Sequence, residues 1–348
     1  MALGELTAAT KSARGVWTSA TIGLAILVVS LAMSITIGVA DLSVVDVGRV
    51  VGSHLGGGDS GLSAIRDGIV WELRLPRALM AAVCGAGLAL CGVVMQSLLR
   101  NALADPYVLG VSSGASTGAV VVVVLGLGGG ALSLSLGAFV GAIGSFAAVM
   151  ALAAGAGGGT SRIVLAGVAG TQLFSSLTSF IVISSADAES TRGILFWLLG
   201  SLSGVDWTDV AVGAVVVGVG TVFCLTQAAA LDAFTFGENA AAALGIGVRG
   251  VRTALLCVVA LVTAALVSAV GAIGFVGLVL PHATRLIVGT RHRRLLPVVV
   301  ITGAIFMVWV DTIARTVFAP QEVPVGVVTA LIGVPVFAML LFRMRVPT

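Results

Sequence analysis

Charge is scarce in this sequence. Acidic and basic side chains make up 9% of its 348 residues, where a soluble domain carries about 25%. Hydrophobic residues make up 58%, and the mean hydropathy is +1.17. A chain this apolar has too little polar surface to cover a globule in water, which excludes an ordinary soluble domain. Disorder is excluded on the opposite ground, because disordered chains lack apolar residues. Lysine is almost missing: among the 18 basic residues only Lys11 is a lysine, and it follows Thr10. A Walker A loop needs Gly-Lys-Ser/Thr, so ATP chemistry of that type would belong to a partner. The four cysteines, Cys84, Cys91, Cys224 and Cys257, sit in apolar runs without CxxC spacing or nearby histidines. They read as small buried hydrophobes, not as a metal or disulfide framework. No cofactor, metal site or catalytic residue is expected.

Glycine is abundant instead, with 47 residues, close to twice its usual share of about 7%. Glycine-rich and apolar together suggest closely packed membrane helices. A span takes about 20 residues. Charge-free apolar windows recur at 16–40, 78–98, 109–127, 131–155, 163–184, 209–229, 252–270, 272–290, 296–314 and 325–342. The sequence therefore predicts an all-α polytopic membrane protein with about ten transmembrane helices. It forms one domain over residues 1–348, with a short segment, 1–15, ahead of the first span. That first window is longer than the h-region of a signal peptide and no AxA-like site follows, so it reads as an uncleaved span.

Alternation of the spans sorts the connecting segments into two sets. One set holds 12 of the 18 basic residues: Lys11, Arg14, Arg100, Arg162, Arg249, Arg252, Arg285, Arg291, Arg293, Arg294, Arg343 and Arg345. The other holds Arg49, Arg66, Arg74, Arg77, Arg192 and Arg315, together with most of the acids. The positive-inside rule then puts both termini in the cytoplasm. Near mid-depth the spans carry almost no ionisable groups. Asp311 and Arg315 lie near the outer end of the ninth span, and His282 and Arg285 in the inner half of the eighth. A mid-depth acid or histidine is the usual mark of an ion relay. Its lack disfavours the main alternative, an ion-coupled secondary transporter acting without an ATPase. An intramembrane enzyme is disfavoured as well. Gly110-Val111-Ser112-Ser113-Gly114 matches GxSxG without triad partners, and the 245–250 segment matches GxGxxG without a preceding strand.

Some segments carry more information. Trp71-Glu72-Leu73-Arg74-Leu75-Pro76-Arg77 precedes the second span on the outer side. Its arginines sit where both sidedness and a helix N-terminus disfavour cations. Either they await an acidic partner, or they snorkel and pair with Glu72 or Asp67. Arg100 to Pro106 forms the inner turn after the second span, and Thr160-Ser161-Arg162 reads as the N-cap of the fifth. Residues 231–250 make the longest cytoplasmic connection. In it, Gly237 and Gly245 bracket an alanine-rich short helix that either docks to another protein or rests on headgroups. Between 271 and 282, glycines three apart allow close helix approach. Pro281 interrupts the helix there, and His282 is expected to bond the freed carbonyl.

Taken in order, these segments resemble the membrane permeases of ABC importers for ferric siderophores, haem and cobalamin. The resemblance rests on Arg74-Leu75-Pro76-Arg77, Gly85 through Gln96, Asn101-Ala102-Leu103-Ala104-Asp105-Pro106, Leu109-Gly110 and Thr160-Ser161-Arg162. It continues with Trp197 through Trp207, Gly237 through Gly245, Gly274-Phe275-Val276-Gly277-Leu278 with Pro281-His282 and Arg285, Asp311 through Arg315, and Glu322 through Gly326. Ala102 departs from the pattern, where the family usually has proline.

The resemblance implies a multi-pass protein of the bacterial inner membrane, surrounded by lipid and without a nucleic-acid partner. A second permease subunit, identical or paralogous, completes one central pathway, two ATPase subunits dock inside, and an extracytoplasmic substrate-binding protein delivers cargo. Arg74, Arg77 and Arg315 match positions that receive the binding protein. Asn101, Leu103, Thr160 and Ser161 match a cytoplasmic gate. Gly237, Glu238, Ala241, Leu244 and Gly245 belong to the element that enters the ATPase groove. A ferric siderophore is the first-ranked cargo, with haem and cobalamin behind. Gly167, Gly170, Thr171, Ser175 and Ser176 along the fifth span are candidates for a weakly binding wall.

Overall fold

The computed structural model describes the backbone of residues 2–38, 40–126, 131–185 and 188–343. Parts of two expected breaks, 127–130 and 186–187, lie outside the described residues, as do Arg345 and the side chains of Lys11, Arg14 and Arg343. The chain is 81% helical, with no strand among the described residues. Its helices are α1 (Ala2–Thr36), α2 (Val44–Gly56), α3 (Ala64–Leu98), α4 (Val111–Val124), α5 (Ala131–Gly155), α6 (Thr160–Ser185) and α7 (Ala188–Leu198). They continue as α8 (Trp207–Thr226), α9 (Ala228–Thr235), α10 (Glu238–Ala243), α11 (Val248–Val270), α12 (Val276–Val288), α13 (His292–Thr316) and α14 (Val325–Arg343). Seven described segments are long and apolar enough to cross a membrane, and three shorter apolar helices, α4, α12 and the start of α14, accompany them. These ten fall one in each expected window.

α3 is the central helix, 83% buried over its apolar window. It packs on α13, α12, α8 and α11. Close approach is built from glycine pairs. A Cβ on Gly85 would sit 2.0 Å from the Gly303 carbonyl oxygen of α13, and one on Gly92 would sit 1.9 Å from that of Gly277 on α12. Backbone cannot yield as a side chain does, so any larger residue must part the helices. Gly92→Leu is expected to lower stability by about 3 kcal/mol or more, by overpacking a fully buried contact. A thermal unfolding midpoint unchanged from the parent would refute the need for glycine there.

Four expectations are corrected. First, α3 begins at Ala64, not near residue 78, and passes through a π-helical turn at Ile69–Arg74. Arg74 and Arg77 are thus well inside a helical run, where the N-terminal dipole penalty does not apply. Second, two spans are shorter than their windows. α4 and α12 have 14 and 13 residues, about 20 Å of helix each, against a hydrocarbon core of about 30 Å. Irregular backbone makes up part of the length: a 3-10 turn at Pro106–Leu109 and the non-helical residues 271–275. Irregular backbone is tolerated at depth only where it is satisfied within protein. Here the Tyr107 hydroxyl accepts from the Ile273 N–H and donates to the Ile273 carbonyl, both at 3.0 Å. Third, Cys84, Cys91 and Cys224 are buried, but Cys257 is exposed on α11 among the described residues. Fourth, α7 occupies what reads in the sequence as a connection.

Candidate functional site

Polar side chains gather at two levels of α3, around Arg77 and around Gln96, about 28 Å apart along the axis.

At the Arg77 end the guanidinium is held by two carboxylates. Its Nη2 lies 2.9 Å from Asp311 Oδ1 on α13, and its Nη1 2.8 Å from Glu322 Oε1. The Asp311 side chain is 1% exposed. Arg315, one helical turn after Asp311, approaches the same carboxylate at 3.7 Å. Arg74 and Arg315 share a second task. Arg74 Nη1 donates to the carbonyl of Ile35 at 2.7 Å, and Arg315 donates to those of Ser34 and Ile37. These carbonyls belong to the last turn of α1 and, for Ile37, the residue just beyond it, where helical acceptors are unpaired and a cation is favoured. The arginines therefore do not pair with Glu72 or Asp67. Glu72 is exposed, and Asp67 accepts from His54 and Ser60. Arg74, Arg77, Asp311, Arg315, Glu322 and Leu202 line one cavity of about 750 Å³.

At the Gln96 end, α3 is wired to three elements by two adjacent residues. Pro281 has no N–H to offer the Gly277 carbonyl one turn back. Gln96 Nε2 donates to that carbonyl and to Leu278, both at 3.2 Å, while Arg285 donates to Gln96 Oε1. The freed carbonyl is thus answered by Gln96 and not by His282. Gln96 is buried beside it, whereas His282 makes no hydrogen bond among the described residues. Next to Gln96, Ser97 Oγ lies 2.6 Å from His292 Nε2, and His292 Nδ1 lies 2.7 Å from Asp232 Oδ1. The Ser97 hydroxyl also bonds the Val93 carbonyl of its own helix. This chain of contacts ties α9 to α13 and α3. Gln96, Arg100, Asn101, Asp232, Arg285 and His292 line a second cavity, of about 640 Å³. The two cavities sort their residues as alternation of the spans predicts.

The FecCD transport family profile matches residues 26–343. The chain belongs to that family. The cobalamin import system permease protein BtuC of Halobacterium salinarum is 39% identical over 280 residues, 78% of this chain and 73% of that one. The Fe(3+) dicitrate transport system permease protein FecD of Escherichia coli is 39% identical, covering 80% of this chain and 86% of that one. A solved inward-facing ABC transporter, assigned to the metal-chelate type, superposes with a TM-score of 0.83 at 30% identity. It covers 93% of this chain and 99% of its own.

In this FecCD-family chain the expected gate residues lie at two helix ends. Asn101 and Leu103 are exposed in the turn after α3, where Asn101 Oδ1 accepts the Leu103 N–H. Thr160 is the first helical residue of α6, not its cap. The residue before it, Gly159, has φ +96° and accepts the Ile163 N–H. The Thr160 hydroxyl instead donates to Glu238 Oε1 at 3.1 Å, and Ser161 is exposed. Gly237 and Gly245 bracket α10 with φ +107° and +80°. Ala241 is fully buried, while Leu244 and Phe236 stand 73% and 81% exposed at its two shoulders. Of the expected wall, Ser175 and Ser176 are exposed on α6 beside Gln172 and Ser179. Gly167 and Gly170 face the other way, against Val108 and Val149. The Asp232–His292–Ser97 chain is invisible in local spacing, since His292 lies 195 residues from Ser97.

Proposed function

We propose that this chain is the permease subunit of an ATP-driven importer in the bacterial inner membrane, with both termini in the cytoplasm. Two permease subunits, identical or paralogous, enclose one pathway. Two ATPase subunits dock at residues 237–245, and an extracytoplasmic binding protein delivers cargo at the Arg74 end. The cargo is a metal chelate, with a ferric siderophore ranked ahead of haem and cobalamin. The ferric-dicitrate relative supports an iron chelate as cargo, and the cobalamin relative at the same 39% identity supports cobalamin as the second reading.

The observation that carries this reading is α10. A six-residue helix stands at the end where basic residues collect, with apolar side chains exposed on both shoulders and a buried alanine beneath. Such a helix is shaped to enter a groove in a partner. The exposed Gln172, Ser175, Ser176 and Ser179 of α6 add support. Polar groups are costly against lipid, and a water-filled pathway shared with a second subunit removes that cost.

Reconstituted uptake with ferric chelates, haemin and cobalamin is the deciding experiment. Transport should require ATP, a co-purifying ATPase and a binding protein. Uptake by the purified chain alone, with no nucleotide, would end this reading.

Docking by the binding protein falls most directly on Arg74. Arg77 already holds two acids, whereas among the described residues Arg74 bonds only carbonyls, so a partner carboxylate adds a charge pair without breaking one. Arg74→Glu is expected to weaken stimulation of ATPase activity by the binding protein at least about tenfold, because it sets like charges together. Arg74→Gln, which keeps donors for the α1 carbonyls, should give a smaller loss. Full stimulation of the glutamate variant would remove the docking role.

A further inference from the structure

Glu238 opens α10, yet its carboxylate turns toward its own chain. The same oxygen, Oε1, accepts from Thr160 Oγ1 at the start of α6 and from Arg252 Nη1 near the start of α11. Among the described residues no other side chain of α10 hydrogen-bonds another element. We propose that Glu238 is the joint through which motion of α10 reaches α6. The proposal rests on the importer reading, in which a partner moves α10.

The two bonds differ in what they grip. α11 is 67% buried over its apolar window and belongs to the fixed core around α3. α6 is 17% buried over its apolar window and packs on α4, α5 and the Pro106–Leu109 turn, outside that core. Arg252 is 15% exposed and forms a charge-assisted pair with Glu238, the stronger bond. It anchors the carboxylate to the core side. The Thr160 hydroxyl is the weaker bond, and it ends on the helix outside that core. Gly237 and Gly245 put positive-φ turns at both ends of α10, so α10 is set off as a unit from α9 and α11. A tilt of α10 about Arg252 therefore shifts Oε1 against Thr160 and displaces the first turn of α6. That helix carries the exposed polar stripe of Gln172, Ser175, Ser176 and Ser179. Glu238 and Thr160 act here as positioning residues: neither needs to touch cargo or nucleotide.

The test uses the full chain with its co-purifying ATPase in lipid nanodiscs. Cys257→Ala removes the exposed thiol, and Ser161→Cys receives an environment-sensitive fluorophore; the other three cysteines are buried. The emission change on adding ATP with vanadate is read. Thr160→Val should cut that change about tenfold, the order expected for losing a hydrogen bond to a charged group. Thr160→Ser should retain most of it, because the hydroxyl remains. Packing alone predicts the reverse, since valine keeps the methyl group and serine loses it. In a Glu238→Ala background, Thr160→Val should add nothing. If Glu238→Ala fails to assemble, Glu238→Gln takes its place. It keeps the oxygen that Thr160 donates to, so Thr160→Val should still matter in it. A full response from Thr160→Val, equal losses from valine and serine, or additive losses with Glu238→Ala would overturn the joint while leaving the importer reading intact. No ATP response in the parent would overturn both.

Discussion

Leu244→Asp is expected to leave the chain folded and to abolish ATP-driven transport. Leu244 is 73% exposed and is the C-cap of α10, so the stability cost is that of a carboxylate at a helix C-terminus, about 1 kcal/mol or less at an exposed site. Its backbone closes α10 by donating to the Ala240 carbonyl, a bond that any residue other than proline keeps. The cost falls on docking. With Phe236, Leu244 forms the apolar tip that enters a partner groove, and anchors of that kind lose about 2–4 kcal/mol when truncated. A carboxylate must also be desolvated there, which adds to the loss. Affinity for the ATPase should fall by a factor of about 30 to 1,000, read as ATPase retained on affinity-purified permease. Leu244→Ala should lie between the parent and the aspartate variant. An aspartate variant that keeps its ATPase and its uptake would show that this face contacts no partner.

The elements legible in the sequence are those governed by local composition. All ten apolar windows hold a helix because each can be read from about 20 consecutive residues. The glycine brackets around α10 are legible for the same reason: Gly237 and Gly245 lie within one short segment. What sequence does not reveal is long-range or contrary to composition. Arg77 finds Asp311 across 234 residues and Glu322 across 245, whereas proximity in sequence points to Glu72 and Asp67. Gly167 and Gly170 are adjacent to the polar face of α6 in sequence, but helical phase turns them onto Val108 and Val149. The 271–275 stretch is apolar enough to read as helix. The Tyr107 hydroxyl, reaching Ile273 from a distant turn, helps to satisfy an irregular backbone at that depth. Thr160 looks like a helix cap by residue type. Gly159 performs that backbone role and frees the Thr160 hydroxyl for Glu238.

Asp311→Ala is expected to destabilise the chain more than removal of either basic neighbour. With its side chain 1% exposed, Asp311 faces Arg77 directly and Arg315 at 3.7 Å. Deleting one partner of a buried pair leaves a charge without compensation and costs about 3–5 kcal/mol. The loss is unequal between the arginines. Arg77 keeps Glu322, while among the described residues Arg315 keeps the Ser34 and Ile37 carbonyls and the Ser34 hydroxyl at the end of α1. Those carbonyls favour a cation but do not neutralise it. The unfolding midpoint should drop by about 5 °C or more. Arg315→Met combined with Asp311→Leu removes the arginine left without a carboxylate and restores apolar packing, while Arg77 keeps Glu322, so it should recover more than half of that drop. The coupling between the two sites should then exceed about 2 kcal/mol. A double variant no better than Asp311→Ala would mean that Asp311 acts chiefly through Arg77. In that case Arg77→Met, not Arg315→Met, should be the substitution that rescues.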